Sequence, residues 1–163
     1  MSPIAELDVV ERRFMKVTSV FLVALIGVLI WSVVGHGAGL ASPAGRVDPD
    51  KVRDTAPFDD PGLHQTGPGE YDLVLVAQAW QWTPAEVSVP VGSTVTIIAT
   101  TVDAVHGLWV PDTQVNAMVI PGQITEMEVT FDEVKDYSII CHEYCGIGHH
   151  TMGGLIHVTG EGA

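Results

Sequence analysis

The residues best suited to chemistry are concentrated in one stretch, Cys141-His142-Glu143-Tyr144-Cys145-Gly146-Ile147-Gly148-His149-His150-Thr151-Met152. It holds both cysteines of the chain, three of its seven histidines and one of its five methionines. Thiolate, imidazole and thioether are the soft and borderline donors that copper prefers. Cys141, Cys145, His149 and Met152 stand at ligand spacing, and His106 adds a donor from upstream. A blue-copper site takes one Cys, two His and a weak axial Met, so one cysteine is left over. Two coppers bridged by both thiolates, each with one terminal His, use the full set. Met152 is then a weak ligand to one copper, and a backbone carbonyl within 141–145 is open to the other. Zinc accepts two Cys and two His, but Cys-x3-Cys-x3-His followed by Met is unlike a zinc finger. A thioredoxin-like motif needs Cys-x-x-Cys, which is absent. A Cys141–Cys145 disulfide is the remaining alternative, and the density of other donors weighs against it. His142, His150 and His157 read as surface or packing residues.

Such a loop needs a rigid support. Residues 137–141 read as a strand that ends on the first ligand, Gly146 and Gly148 as tight turns, and Gly153-Gly154 as the lead into a last strand. A loop held at both ends by neighbouring strands fixes its donors before a metal arrives. From Glu70 onward the chain reads as mainly β. Runs at 71–82, 86–90, 94–101, 107–110, 116–120, 124–131, 137–141 and 154–159 are rich in Val, Ile and Thr, and turn residues such as Thr83-Pro84, Val91-Gly92 and Pro121-Gly122 separate them. Short strands at this spacing predict a two-sheet sandwich or barrel over 70–163. Residues 38–69, rich in Gly, Pro and Asp, read as an irregular linker and lead-in. Residues 1–37 read as a polar tail and a membrane helix. No Asp, Glu, Lys or Arg occurs over 17–45, and residues 17–34 are nearly all apolar. A bilayer core needs about 20 helical residues. A cleaved signal peptide is the competing reading, but the apolar run exceeds the usual length of such a region. Arg12, Arg13 and Lys16 precede the helix closely, which favours the tail inside and the large domain outside.

The net charge is −13, and all of it lies beyond residue 45, where 17 acids face four bases. Nucleic acid is excluded as a partner, because phosphate binding needs clustered Lys and Arg. The acids are spread from Asp48 to Glu161, and beyond Arg53 the only base is Lys135. That pattern favours a uniformly solvated acidic surface of the kind halophilic proteins carry over a docking face for a cationic partner.

Cys141-x-Glu143-x-Cys145-x3-His149-x2-Met152, with Asp103-x2-His106 upstream, resembles the CuA motif of subunit II of haem-copper cytochrome c oxidases. The lone helix, Arg46-Val47-Asp48-Pro49 and Gln65-Thr66-Gly67-Pro68 further resemble the B-type branch, whose subunit II has a single membrane helix. The resemblance runs from about Glu11 to the last strand. It implies a cupredoxin-like Greek-key barrel or sandwich on the outer face of the cell membrane, anchored by one N-terminal transmembrane helix. It implies a binuclear copper centre, with Cys141 and Cys145 bridging, His106 and Met152 on one copper, and His149 and the Glu143 carbonyl on the other. Single electrons would come from a soluble carrier, a cytochrome c or a blue-copper protein. They would pass to haem in subunit I, where oxygen is reduced to water and protons are pumped. A small third subunit is a further implied partner. Trp80 and Trp82 match aromatic positions near the electron-entry surface and, two apart on a strand, are expected to face the same side. Glu143 stands where B-type members carry Gln and conventional oxidases carry a Glu that helps hold Mg against subunit I. Glu11 aligns with a glutamate at the inner helix end that admits protons. A membrane-anchored copper carrier or chaperone is the alternative function, although chaperones expose their donors. A nitrous oxide reductase would need a further catalytic domain, and quinol-oxidase subunits lack these ligands.

Overall fold

The computed structural model describes residues 9–35 and 44–160. The chain divides into two compact units, Met1–Ser42 and Pro43–Ala163.

The first unit is helix α1, Val9–Gly35, of 27 residues. At 1.5 Å per residue it is about 40 Å long, enough for a hydrocarbon core of about 30 Å. Its apolar side chains, from Phe14 to Val34, are exposed on all sides rather than gathered in one stripe. That is the pattern of a helix solvated by lipid. Glu11 lies in its first turn.

The second unit is a two-sheet β-sandwich, as the sequence predicts. Its strands are β1 (Gly45–Arg46), β2 (Gly62–Gly67), β3 (Glu70–Gln78), β4 (Gln81–Thr83), β5 (Glu86–Pro90), β6 (Thr94–Thr101), β7 (His106–Trp109), β8 (Asn116–Val119), β9 (Gln123–Thr130), β10 (Asp136–Ile140) and β11 (Gly153–Thr159). One sheet runs β1-β9-β6-β3-β2, with β4 folded back on β3; the other runs β5-β11-β10-β7-β8. Most pairs are antiparallel, but β3 with β6 and β5 with β11 are parallel. The core between the sheets comes from alternate residues of each strand: Leu73, Leu75 and Ala77 on β3, Val95, Ile97 and Ala99 on β6, Ile139 on β10, and Ile156 and Val158 on β11. Phe131 and Tyr137 meet edge-on there at 4.9 Å.

Two expectations need correction. Residues 44–69 are not a loose lead-in. They supply β1, β2 and a 3-10 helix, Pro49–Asp54, capped by the Asp48 side chain. Val47, Val52 and Phe58 form a second apolar cluster with Val74 and Val76, on the outer face of β3. The unbroken apolar run Leu73-Val74-Leu75-Val76-Ala77 is buried on both faces, so it needs a cover on each. The second correction concerns 71–82, which is not a single strand. β3 stops at Gln78, the chain reverses, and β4 returns with Trp82 opposite Ala77 and Gln81 opposite Gln78. Trp80 is left at the turn, and Trp82 points into the sandwich with only 1% of its surface exposed.

The same sheet closes the copper-type loop. β10 and β11 are antiparallel neighbours with Ile140 opposite Gly153, so 141–152 leaves and re-enters adjacent strands. The Cys141 amide donates to the Met152 carbonyl at 3.4 Å across the base of the loop. β7 flanks β10 on its other side, with Trp109 opposite Ile140, which brings His106 beside Cys141.

Candidate metal centre

Six donors converge at this end of the sandwich. Cys141 Sγ and Cys145 Sγ are 3.8 Å apart and unbonded. A disulfide would hold them at about 2.05 Å. His106 Nδ1 lies 3.9 Å from Cys141 Sγ and 3.1 Å from Met152 Sδ. His149 Nδ1 is 3.6 Å from Cys145 Sγ, and Met152 Sδ is also 3.6 Å from it. The Glu143 carbonyl oxygen lies 3.3 Å from Cys141 Sγ. His106, Cys141, Cys145 and Met152 are all buried, while His149 and Glu143 are half-buried. The ligand atoms of His106, Cys141 and Cys145 all fall within 4.8 Å of one another.

Local structure explains why these groups meet. A 3-10 turn, His149–Thr151, closes by bonds from the Thr151 amide and hydroxyl to the Gly148 carbonyl, and it presents His149 and Met152 inward together. The Tyr144 ring meets His149 edge-on at 5.9 Å. His106 opens β7, and its Nε2 is 3.0 Å from Asp103 Oδ1. An ionised carboxylate only accepts hydrogen bonds, so Nε2 carries the proton and the Nδ1 lone pair faces the sulfurs. Asp103 also accepts from the amides of Ala79 (2.7 Å) and Ala104 (2.6 Å) and from the Thr101 hydroxyl. Partial burial alone would raise the Asp103 pKa. The four hydrogen bonds outweigh it and hold the carboxyl below its ordinary value.

The donor set fits a soft cation. Burial and the neighbouring Cys141 push the Cys145 thiol up to about 11. That buried thiol therefore resists ionisation unless a metal compensates its charge. Among the described residues this is the one group of three or more candidate metal-binding side chains.

The cluster is visible in the sequence, but parts of its frame are not. Asp103 entered only as a motif position, yet it ties the His106 ring to the Ala79 turn. Trp80, 41% exposed, donates its indole Nε1–H to the Cys145 carbonyl at 3.2 Å. Its ring lies on Gly148, where a Cβ would fall 2.4 Å from the indole. Gly148 is therefore a contact requirement as well as a turn. Trp82 does not share that surface. Its ring packs 6.3 Å from His106, centroid to centroid, and its Nε1 has no hydrogen-bond partner. His142 and His150 are exposed, and His157 pairs with Asp136 and Glu86 on the β10–β11–β5 face. Glu11 belongs to the helical unit.

Comparison with known proteins agrees with this picture. The family model described as cytochrome c oxidase subunit II, periplasmic domain, matches residues 73–159. A Thermus thermophilus protein named cytochrome c oxidase subunit 2 is 35% identical over 151 residues, covering 90% of this chain and 89% of its own. A second Thermus thermophilus subunit 2 is 38% identical over 131 residues, covering 77% of this chain and 96% of its own. Among solved structures, a chain of a heme-copper terminal oxidase dimer superposes with a TM-score of 0.69 at 30% identity, covering 92% of this chain and 99% of that one. The periplasmic domain of cytochrome oxidase subunit II from Bradyrhizobium japonicum, at 21% identity and a TM-score of 0.51, shares the fold over 54% of this chain and 83% of its own. The ligand-bearing sheet lies inside the family match and the apolar helix inside the fuller alignments, so the chain belongs to the cytochrome c oxidase subunit II family, a membrane-anchored subunit of a haem-copper oxidase for which the family implies copper.

Proposed function

We propose that this end of the sandwich is the electron-entry site of the oxidase, a binuclear CuA centre. Cys141 and Cys145 would bridge, His106 and Met152 would hold one copper, and His149 with the Glu143 carbonyl would hold the other. The carrying observation is the pair of buried, unbonded thiols 3.8 Å apart, with one imidazole Nδ1 beside each. When bound, the copper pair supplies one-electron redox chemistry, between a soluble carrier and the haem of subunit I, where oxygen is reduced to water with proton pumping.

The chain's own part is to hold the donors still. Strand pairing closes the loop at its base, Asp103 fixes the His106 ring, and Trp80 lies against the loop from outside. A cage set before the metal arrives changes little between redox states. Its inward-facing thiols do not suit a chaperone, which must surrender copper. Trp80, at the surface and bonded to the Cys145 carbonyl, is the residue through which electrons from a cytochrome c or blue-copper donor would enter. Trp82 is a packing residue against His106. The half-buried Glu143 carboxylate is the proposed ligand for Mg at the contact with subunit I. Residues 1–37 form the tail and anchor, with the N-terminus inside the cell membrane, the copper domain outside and Glu11 as a proton-entry group. A small third subunit completes the proposed set of partners.

Metal analysis of the purified full chain tests this. A copper pair in the buried site, lost in Cys141→Ser/Cys145→Ser, is expected. Zinc there, or a copper pair that survives loss of both thiols, overturns the assignment.

A further inference from the structure

The outer face of the second sheet changes character along its length. Directly opposed residues share a face, so the register lays this one out in rows. Nearest the metal loop, Met118 of β8 stands opposite Gly107 of β7. The next row runs Asn116, Trp109, Ile140, Gly153 across β8, β7, β10 and β11. Acids enter only further from the loop, where Leu155 stands beside Glu86 and Asp136 stands opposite His157. The rows point away from the core, because the alternating residues Leu108, Ile139 and Ile156 fill it.

The metal loop completes this half of the face. The His142 amide donates to the Gly107 carbonyl at 3.3 Å, and the His142 ring takes the place of the missing side chain, with Nδ1 2.6 Å from where a Cβ would stand. Trp109 is 40% exposed and Met118 39% exposed, and His142 is exposed as well. Charge is missing here although the chain is acidic. Beyond residue 45 there are 17 acids and four bases, yet no Asp, Glu, Lys or Arg occurs over 104–111, 114–125, 137–142 or 144–160, the segments that build this half. A surface centre depleted of charge and carrying Trp and Met is the composition of a protein contact, with the tryptophan as its anchor.

The kind of partner follows from the same lack of charge. A soluble electron carrier binds and leaves at each turnover, and charge is what speeds and orients such encounters. A charge-free face with an apolar centre fits a partner that stays. The permanent partner that oxidase membership implies is subunit I. We propose that subunit I covers this face, with Trp109, Met118 and His142 at the centre of the contact. The face backs the strands that carry His106 and Cys141, and it runs up to His142, the chain neighbour of the Glu143 assigned above to the subunit I contact. Trp80 belongs to the turn of the other sheet, so electrons enter and leave by different surfaces. That last point rests on the copper reading of the buried donors; the docking face itself does not.

Photo-crosslinking in the assembled, purified oxidase tests this. With benzoylphenylalanine in place of Trp109, and separately of Met118, irradiation should join this chain to a subunit I peptide identified by mass spectrometry. Adducts that go instead to a second copy of this chain, a third subunit or lipid, or no adduct from either position, overturn the proposal. Trp109→Asp/Met118→Asp should lower the haem that co-purifies with the chain several-fold, while Ser88→Asp, at the acidic end of the same sheet, should not. Equal haem recovery in the two variants overturns the proposal too. The double variant should keep the unfolding temperature of the wild-type chain; if it does not, the crosslink alone decides. A failure of the copper reading shows differently: the wild-type chain would hold no copper pair, and the crosslink to subunit I would still form.

Discussion

The indole of Trp80 and the backbone of Gly148 are in contact so close that no side chain fits between them: a Cβ at 148 would stand 2.4 Å from the ring. Among the described residues, the one tryptophan that both reaches the surface and bonds the metal loop is therefore placed by a glycine 68 residues away, with its Nε1–H on the Cys145 carbonyl.

Gly148→Ala should dislodge Trp80 and cost about 1–3 kcal/mol of stability, the usual penalty for overpacking. Thermal unfolding of the variant measures it. Trp80→Leu should slow electron entry from the donor. Trp82→Ala should act on stability, by about 3–5 kcal/mol, because that ring is buried against His106. Equal effects of the two tryptophan variants on electron entry would contradict the division between them.

Asp103→Asn keeps the size of the side chain but changes its hydrogen bonding. With Oδ1 still accepting from His106, the new amide NH2 would face the Ala79 N–H, donor against donor. Loss of this support should lower copper affinity by roughly 10–100-fold, the usual effect of removing an outer partner of a metal-bound histidine. Chelator competition reads it directly.

Phe58→Ala should destabilise the sandwich by about 3–5 kcal/mol and leave the copper spectrum unchanged. Phe58 is fully buried but covers the face of β3 opposite the main core. Denaturant unfolding would check this; a cost of a few tenths of a kcal/mol would return 44–69 to the role of a linker.

How legible these features are in the sequence follows from their physical origin. Cys, His and Met are scarce and chemically particular, so Cys141, Cys145, His149 and Met152 are visible by spacing alone. The strands around them carry ordinary β signals. Val47, Val52 and Phe58 are scattered among Asp, Pro and Gly without a period, and only the doubly apolar run 73–77 calls for them. The reversal at Ala79-Trp80 has no Gly, Pro or Asn to mark it, so strand alternation alone predicts Trp80 and Trp82 on one face. Asp103 supports His106 by a bond that spacing cannot distinguish from an ordinary loop carboxylate.

His157 gives a pH test remote from the site. Its Nδ1 lies 2.7 Å from Asp136 Oδ1, and that bond raises its pKa above 6.5, against the opposing effect of desolvation and with further support from Glu86. A raised folded value means the contribution to stability is fully present below about pH 6.5 and is lost as pH rises through the folded pKa. His157→Gln should flatten that part of the stability–pH curve, and the effect should shrink in high salt, which screens exposed pairs. A variant curve that declines as wild type does would contradict this.

The most direct test of the copper reading is the EPR spectrum of the copper-loaded full chain. Two metals sharing Cys141 and Cys145 predict one unpaired electron spread over both, with hyperfine splitting from two equivalent copper nuclei. Splitting from a single copper nucleus would contradict the binuclear site.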